Sequence, residues 1–141
     1  MRLLSLALLA GLLVAADATV HTVAAQTTLS WAALGRVRMN GGTPRFDAPV
    51  QRLDGRAVRL TGYMLPLEQS ASQQHFLLTA QPMADCFYCI PSGPESFVEV
   101  RLAAPMRFTY DRITITGRLS LLTDDPIGLY RIAGGRARAA G

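Results

Sequence analysis

Two short stretches constrain this chain more than any other feature. Val58-Arg59-Leu60-Thr61-Gly62 and Ile113-Thr114-Ile115-Thr116-Gly117 both read apolar, polar, apolar, Thr, Gly. Successive side chains of a strand point to opposite faces, so each stretch predicts a strand with one buried face. A glycine inside a strand weakens it and marks a bulge or a sharp bend. We read the echo as shared bending, since five residues are too few to establish a repeat. Alternation recurs over 97–102, with Val98, Val100 and Leu102 on one face and Glu99 and Arg101 on the other. A short apolar run at 75–79 and a last one at 128–132, after the turn signal Asp124-Asp125-Pro126, bring the set to five strands. Two long strands bent at glycine within such a set predict a mainly β fold. It is a small five-stranded, partly open Greek-key barrel resembling the oligonucleotide/oligosaccharide-binding (OB) fold. No strand–helix alternation supports a parallel α/β sheet. Residues 28–35 predict a short N-terminal helix, with Ser30 or Thr28 as its cap and Gly35 at its end. The polar, glycine-bearing stretch 36–45 reads as a loop. Residues 134–141 lack apolar periodicity and read as a disordered tail.

Half of the 141 residues are hydrophobic and 17% are charged, which excludes a disordered chain and fits one domain. The surplus is concentrated at the start, where Arg2 precedes an apolar run over 3–16 that Asp17 ends. That run is shorter than the roughly 20 residues a membrane-spanning helix needs. Small residues follow in the pattern signal peptidase reads, either Ala16-Asp17-Ala18 before Thr19 or, preferred, Val23-Ala24-Ala25 before Gln26. Residues 1–25 are therefore expected to be a signal peptide and 26–133 a single barrel domain, periplasmic or secreted, with no membrane span after cleavage. An uncleaved anchor is the alternative. Export would place both cysteines in an oxidising compartment.

Chemistry is densest in the proline-clamped stretch 82–95, which carries Cys86 and Cys89. Their spacing suits a disulfide, a metal chelate or a redox couple. As thiolates they could hold zinc or, with thioethers such as Met64, Met83 and Met106, copper(I). His75, Asp85 and Glu95 are the candidates for the remaining ligands. A thiol–disulfide catalyst usually places its nucleophile at a helix N-terminus, which Pro91 makes difficult here, and the strand–helix–strand context is missing. Covalent haem attachment needs a histidine where this chain has Ile90. A structural disulfide closing a tight loop needs nothing beyond the compartment. The formal charge is +4, and all fourteen basic residues are Arg. Guanidinium suits anionic ligands, but the arginines are scattered along the sequence. Export argues against nucleic acid, and the Arg-only usage reads as coding bias. No nucleophile-elbow or Ser-His-Asp pattern is present.

The pieces Trp31-x-x-Leu34, Leu53-x-Gly55-x-x-Val58-x-Leu60-x-Gly62-Tyr63-Met64-x-Pro66-Leu67, Phe76-Leu77-Leu78, the cysteine loop and Val98-x-Val100 together resemble a family of exported bacterial proteins of unknown function, domain of unknown function 3299. The resemblance implies a small periplasmic barrel that accompanies ATP-driven transporters, with metal uptake suggested. Many members carry a Cys-x-His-x-Pro-Pro loop where this chain has Cys86-x-x-Cys89-x-Pro91, and the histidine of that pattern is Tyr88 here. A ligand role carries over only to Cys86, and Cys89 would have to replace the histidine. The expectation is a non-enzymatic accessory or binding module linked to a membrane transporter of the ABC type. The alternatives are a thiol–disulfide redox protein using Cys86 and Cys89, or a domain whose disulfide is purely structural.

Overall fold

The computed structural model describes residues 26–82 and 92–141. The leader expected at 1–25, and Asp85, Cys86 and Cys89, lie outside the described residues. The first part of the chain is short elements: β1 (Thr27–Thr28), α1 (Trp31–Leu34), β2 (Arg38–Asn40), β3 (Thr43–Arg45) and α2 (Ala48–Gln51). Five longer strands follow: β4 (Ala57–Pro66), β5 (Ser72–Thr79), β6 (Phe97–Arg107), β7 (Ile113–Leu121) and β8 (Tyr130–Ala139). Among the last five, β4 pairs β5, β5 pairs β6, β6 pairs β8 in parallel, β8 pairs β7, and β7 returns to β4. That is a closed five-stranded ring with OB-like connectivity. Its closure goes one step beyond the partial one expected. β1 adds to β4 in parallel outside the ring.

Closure depends on β4 serving two neighbours. Its first six residues pair with β7, from Ala57↔Arg118 to Gly62↔Ile113, and its last four pair with β5, from Tyr63↔Thr79 onward. The handover falls at Gly62, where a Cβ would collide with the Thr79 carbonyl oxygen and press on Leu78 and Trp31. Gly117 is the second corner. It sits where the β7–β8 register shifts, and a Cβ there would lie 2.7 Å from Ile132 and 2.9 Å from the Ala133 carbonyl oxygen. Both glycines of the echoed pattern thus sit where the strand pairing changes and where no side chain fits.

The alternating residues fill the barrel. Val58, Leu60, Phe76, Leu78, Val98, Val100, Ile113, Ile115 and Ile132 are all buried. One end is capped by α1, whose N-cap is Ser30 and whose Leu34 is wholly buried. Trp31 donates its indole N–H to the Thr61 carbonyl oxygen at 2.7 Å, fastening the helix to β4. Tyr130, also buried, donates its hydroxyl to the Leu34 carbonyl oxygen at 2.8 Å and packs against Phe46 with ring centroids 5.5 Å apart.

Two expectations are corrected. The stretch 36–45 is a hairpin, β2 and β3, turning through Gly41 and Gly42 with both φ positive, at 57° and 85°. Two such residues in a two-residue turn match the twist of the flanking strands. Residues 134–139, expected to belong to a disordered tail, continue β8. They pair with β7 through Thr116↔Arg136, Ile115↔Ala137, Thr114↔Arg138 and Ile113↔Ala139. Gly134, at φ 62°, is the extra residue of a bulge against β6, and beyond it Gly135 turns inward, where an added Cβ would sit 3.3 Å from Leu102 and 3.4 Å from Ile115. The ladder needs only backbone groups and small inward residues, so apolar periodicity is not required there.

Candidate functional site

Sequence alternation puts Glu99 and Arg101 on the outer face of β6, and the structure agrees. Yet the Glu99 side chain has no exposed surface. Register explains why. Glu99 is central in a row running from Leu77 on β5 to Arg131 on β8, and the next row holds His75, Arg101 and Ala133. Glu99 Oε1 accepts from His75 Nε2 and from Arg101 Nε, each at 2.8 Å. Its Oε2 accepts from Arg131 Nε at 2.5 Å. Arg131 reaches on through Nη2 to Asp125 Oδ2 at 2.8 Å, and Asp125 Oδ1 accepts the Ile127 backbone N–H at 2.9 Å. One buried carboxylate thus joins three strands to the β7–β8 connection.

Its electrostatics follow from those partners. Burial pushes the Glu99 carboxyl upward, but hydrogen bonds from Arg101, Arg131 and His75 outweigh it and hold the group below the usual carboxylate value. Asp125 is held below its usual value chiefly by the Ile127 N–H, with Arg131 adding to it against some desolvation. Desolvation pulls Arg131 down, but Glu99 and Asp125 together keep it above its usual value. An ionised carboxylate only accepts, so His75 Nε2 carries the proton in this contact. No hydrogen bond among the described residues uses Nδ1, and the side chain is 34% exposed.

Of the predicted site residues only His75 and Glu95 fall among the described ones, and no hydrogen bond joins them. His75 lies in the network just described. Glu95 does not join it. Its carboxylate folds back over Gly93 and acts on Tyr130, whose hydroxyl burial first, and Glu95 second, push up to about 12. Among the described residues no group of three or more His, Cys, Asp or Glu is placed to hold a metal. Cys86, Cys89 and Asp85 lie outside the described residues, in the connection whose two ends, Thr79 and Phe97, pair with each other. Sequence reasoning missed Glu99, Arg101, Asp125 and Arg131 as a unit. A Glu and an Arg alternating with valines look like a solvated strand face. No local signal connects Glu99 to an arginine on β8.

No helix among the described residues is long and apolar enough to cross a membrane. No protein with a curated description matches the chain. The crystal structure of a DUF3299 family protein from Pseudomonas aeruginosa is similar in fold, with a TM-score of 0.65 at 18% identity, covering 83% of this chain and 97% of that one. The family model described as protein of unknown function (DUF3299) matches residues 17–127. With most of its length matched and the barrel shared, the chain belongs to the DUF3299 family.

Proposed function

We propose that this chain is an exported, periplasmic binding and accessory module without catalytic activity. It would act beside a metal-linked transporter of the ABC type, with Cys86, Cys89 and His75 as ligands for a zinc or copper ion. The observation that carries this reading is the His75–Glu99 pair. Histidines that bind metals commonly donate their second ring N–H to a carboxylate, which fixes the tautomer and raises the basicity of the ligating nitrogen. His75 has that arrangement, with Nδ1 as the remaining nitrogen. Its place on the barrel also supports the reading. OB barrels bind ligands on the faces of their second and third strands, which here are β5 and β6, and the cysteine-bearing connection joins those two strands.

Metal analysis of the protein purified without chelator from the periplasm tests the reading. About one zinc or copper per chain is expected, lost in Cys86→Ser and Cys89→Ser. His75→Ala should weaken the site, and Glu99→Gln should cost about 10- to 100-fold in affinity, as removal of such supporting partners does. A metal-free protein whose disulfide is strongly oxidising and exchanges rapidly would replace this reading with a redox one. A stable disulfide without metal would leave the loop structural.

A further inference from the structure

The opposite side of the barrel carries a second polar face, of different character. The outward rows of β4, β7 and β8 run Arg59, Thr116, Arg136 and then Thr61, Thr114, Arg138. Between them lies a groove of about 380 Å³ lined by Arg59, Arg136, Arg138, Thr114, Thr116 and Gln26. Among the described residues no carboxylate lines it. Among the described residues, Arg36, Arg101 and Arg131 form ion pairs, whereas Arg59, Arg136 and Arg138 form none. The one side-chain bond Arg59 makes there is to the neutral Gln26 amide oxygen, at 3.2 Å. Three guanidiniums on one patch repel one another, and each holds donors that no acceptor among the described residues uses.

The geometry converges. Strands lie about 4.8 Å apart, so Arg59 and Arg136 flank the Thr116 ridge with roughly 10 Å between their backbones. The long arms of two arginines can close that distance over the short threonines. The Thr61 and Thr114 hydroxyls bond each other at 2.9 Å, which leaves the floor low and polar. Planar five-donor forks suit phosphate oxygens bidentately.

We propose that this face is a binding site for a small soluble anion bearing phosphate groups, of the pyrophosphate or phosphate-ester class. The groove has the size of a small-ligand site. The exposed large apolar side chains, Met39, Leu67 and Tyr110, are not in its lining, so it offers no wedge for a bilayer. Nor does any aromatic ring line it on which a nucleobase could stack. The site shares no residue with the His75–Glu99 network, so it stands or falls independently of the metal reading.

Calorimetric titration of the full protein with pyrophosphate, and separately with inorganic phosphate, provides the test. Saturable binding of pyrophosphate is expected, weakened about tenfold or more by Arg59→Gln and by Arg136→Gln, as loss of a bidentate charge-assisted contact implies. Arg59→Lys, which keeps the charge and loses the fork, should also weaken it. Arg36→Gln, at an arginine already paired with Asp47, should leave it unchanged. Absence of saturable binding at millimolar pyrophosphate would overturn the proposal, as would binding that Arg36→Gln reduces as much as Arg59→Gln does. Co-sedimentation with phosphatidylglycerol vesicles without any pyrophosphate binding would assign the face to a lipid surface and overturn it too.

Discussion

Replacing Glu99 with Gln removes a negative charge from a position with no exposed surface while leaving its three donors in place. Gln keeps one acceptor oxygen and adds two N–H groups, one of which must face a guanidinium or the His75 N–H. A hydrogen bond to a charged group contributes about 1.5–3 kcal/mol. The Arg101 contact is discounted because that side chain is 53% exposed and recovers most of its hydration. Arg131, only 23% exposed, loses more, although Asp125 still holds its other nitrogen. Removing one partner of a buried ion pair costs about 3–5 kcal/mol. With the discount for the two water-reaching arginines, we expect a loss of roughly 2–4 kcal/mol. Urea unfolding at pH 7 with chelator present, followed by fluorescence of the single tryptophan, Trp31, would measure it as a lower midpoint at unchanged slope. The acid limb provides an internal check. Because the folded Glu99 carboxyl lies below its usual value of 4.5, its contribution is present above that pH. It is lost as pH falls through the lower folded value. Glu99→Gln should flatten this acid dependence and leave the part due to Asp125. A loss under about 0.5 kcal/mol with an unchanged acid profile would refute the argument, since that is the size of an ordinary surface substitution.

Tyr130 gives the alkaline counterpart. With its folded value raised to about 12, it stabilises the barrel below its usual value of 10, and the contribution disappears as pH rises from there toward 12. Spectrophotometric titration should find one of the four tyrosines ionising only with unfolding, and Tyr130→Phe should cost about 1 kcal/mol at neutral pH through the lost bond to Leu34. Four tyrosines titrating together near 10 would contradict this. A chain ending at Gly134 loses the β7 partners of Ile113 through Thr116 and uncovers Ile113 and Ile115. Its calorimetric midpoint should fall by at least about 10 °C, as a loss of a few kcal/mol implies for a domain of this size. An unchanged midpoint would mean the segment is a dispensable tail after all.

What was legible in the sequence is what a single strand specifies for itself. Val58, Leu60, Ile113 and Ile115 alternate because one face of each strand is inside the barrel. Gly62 and Gly117 stand out because glycine weakens a strand, and the structure places them where pairing changes and no Cβ fits. The end of β8 stayed hidden for two local reasons. The Gly134 bulge interrupts its period, and the inward positions beyond it are Gly135 and Ala137, small residues that carry almost no hydropathy. The hairpin at 38–45 reads as a loop because the residues flanking its Gly41-Gly42 turn are mostly polar and exposed, which gives an alternating pattern little to report.

The candidate sites were illegible for a different reason, since both are made by register between strands distant in sequence. Five of the fourteen arginines, spread along the sequence, are gathered by the barrel into two groups. Arg101 and Arg131 converge on Glu99, where two carboxylates answer two guanidiniums. Arg59, Arg136 and Arg138 converge with no carboxylate between them. A net charge of +4 cannot distinguish these arrangements. A closed ring can, because it fixes which residue of β8 lies beside which residue of β6 and β7. The same strand then supplies Arg131 to a neutralised network on one side and, past the Gly134 bulge, Arg136 and Arg138 to an unneutralised one on the other. Composition sets how much charge the surface carries. The bulge in β8 decides where it is left uncompensated.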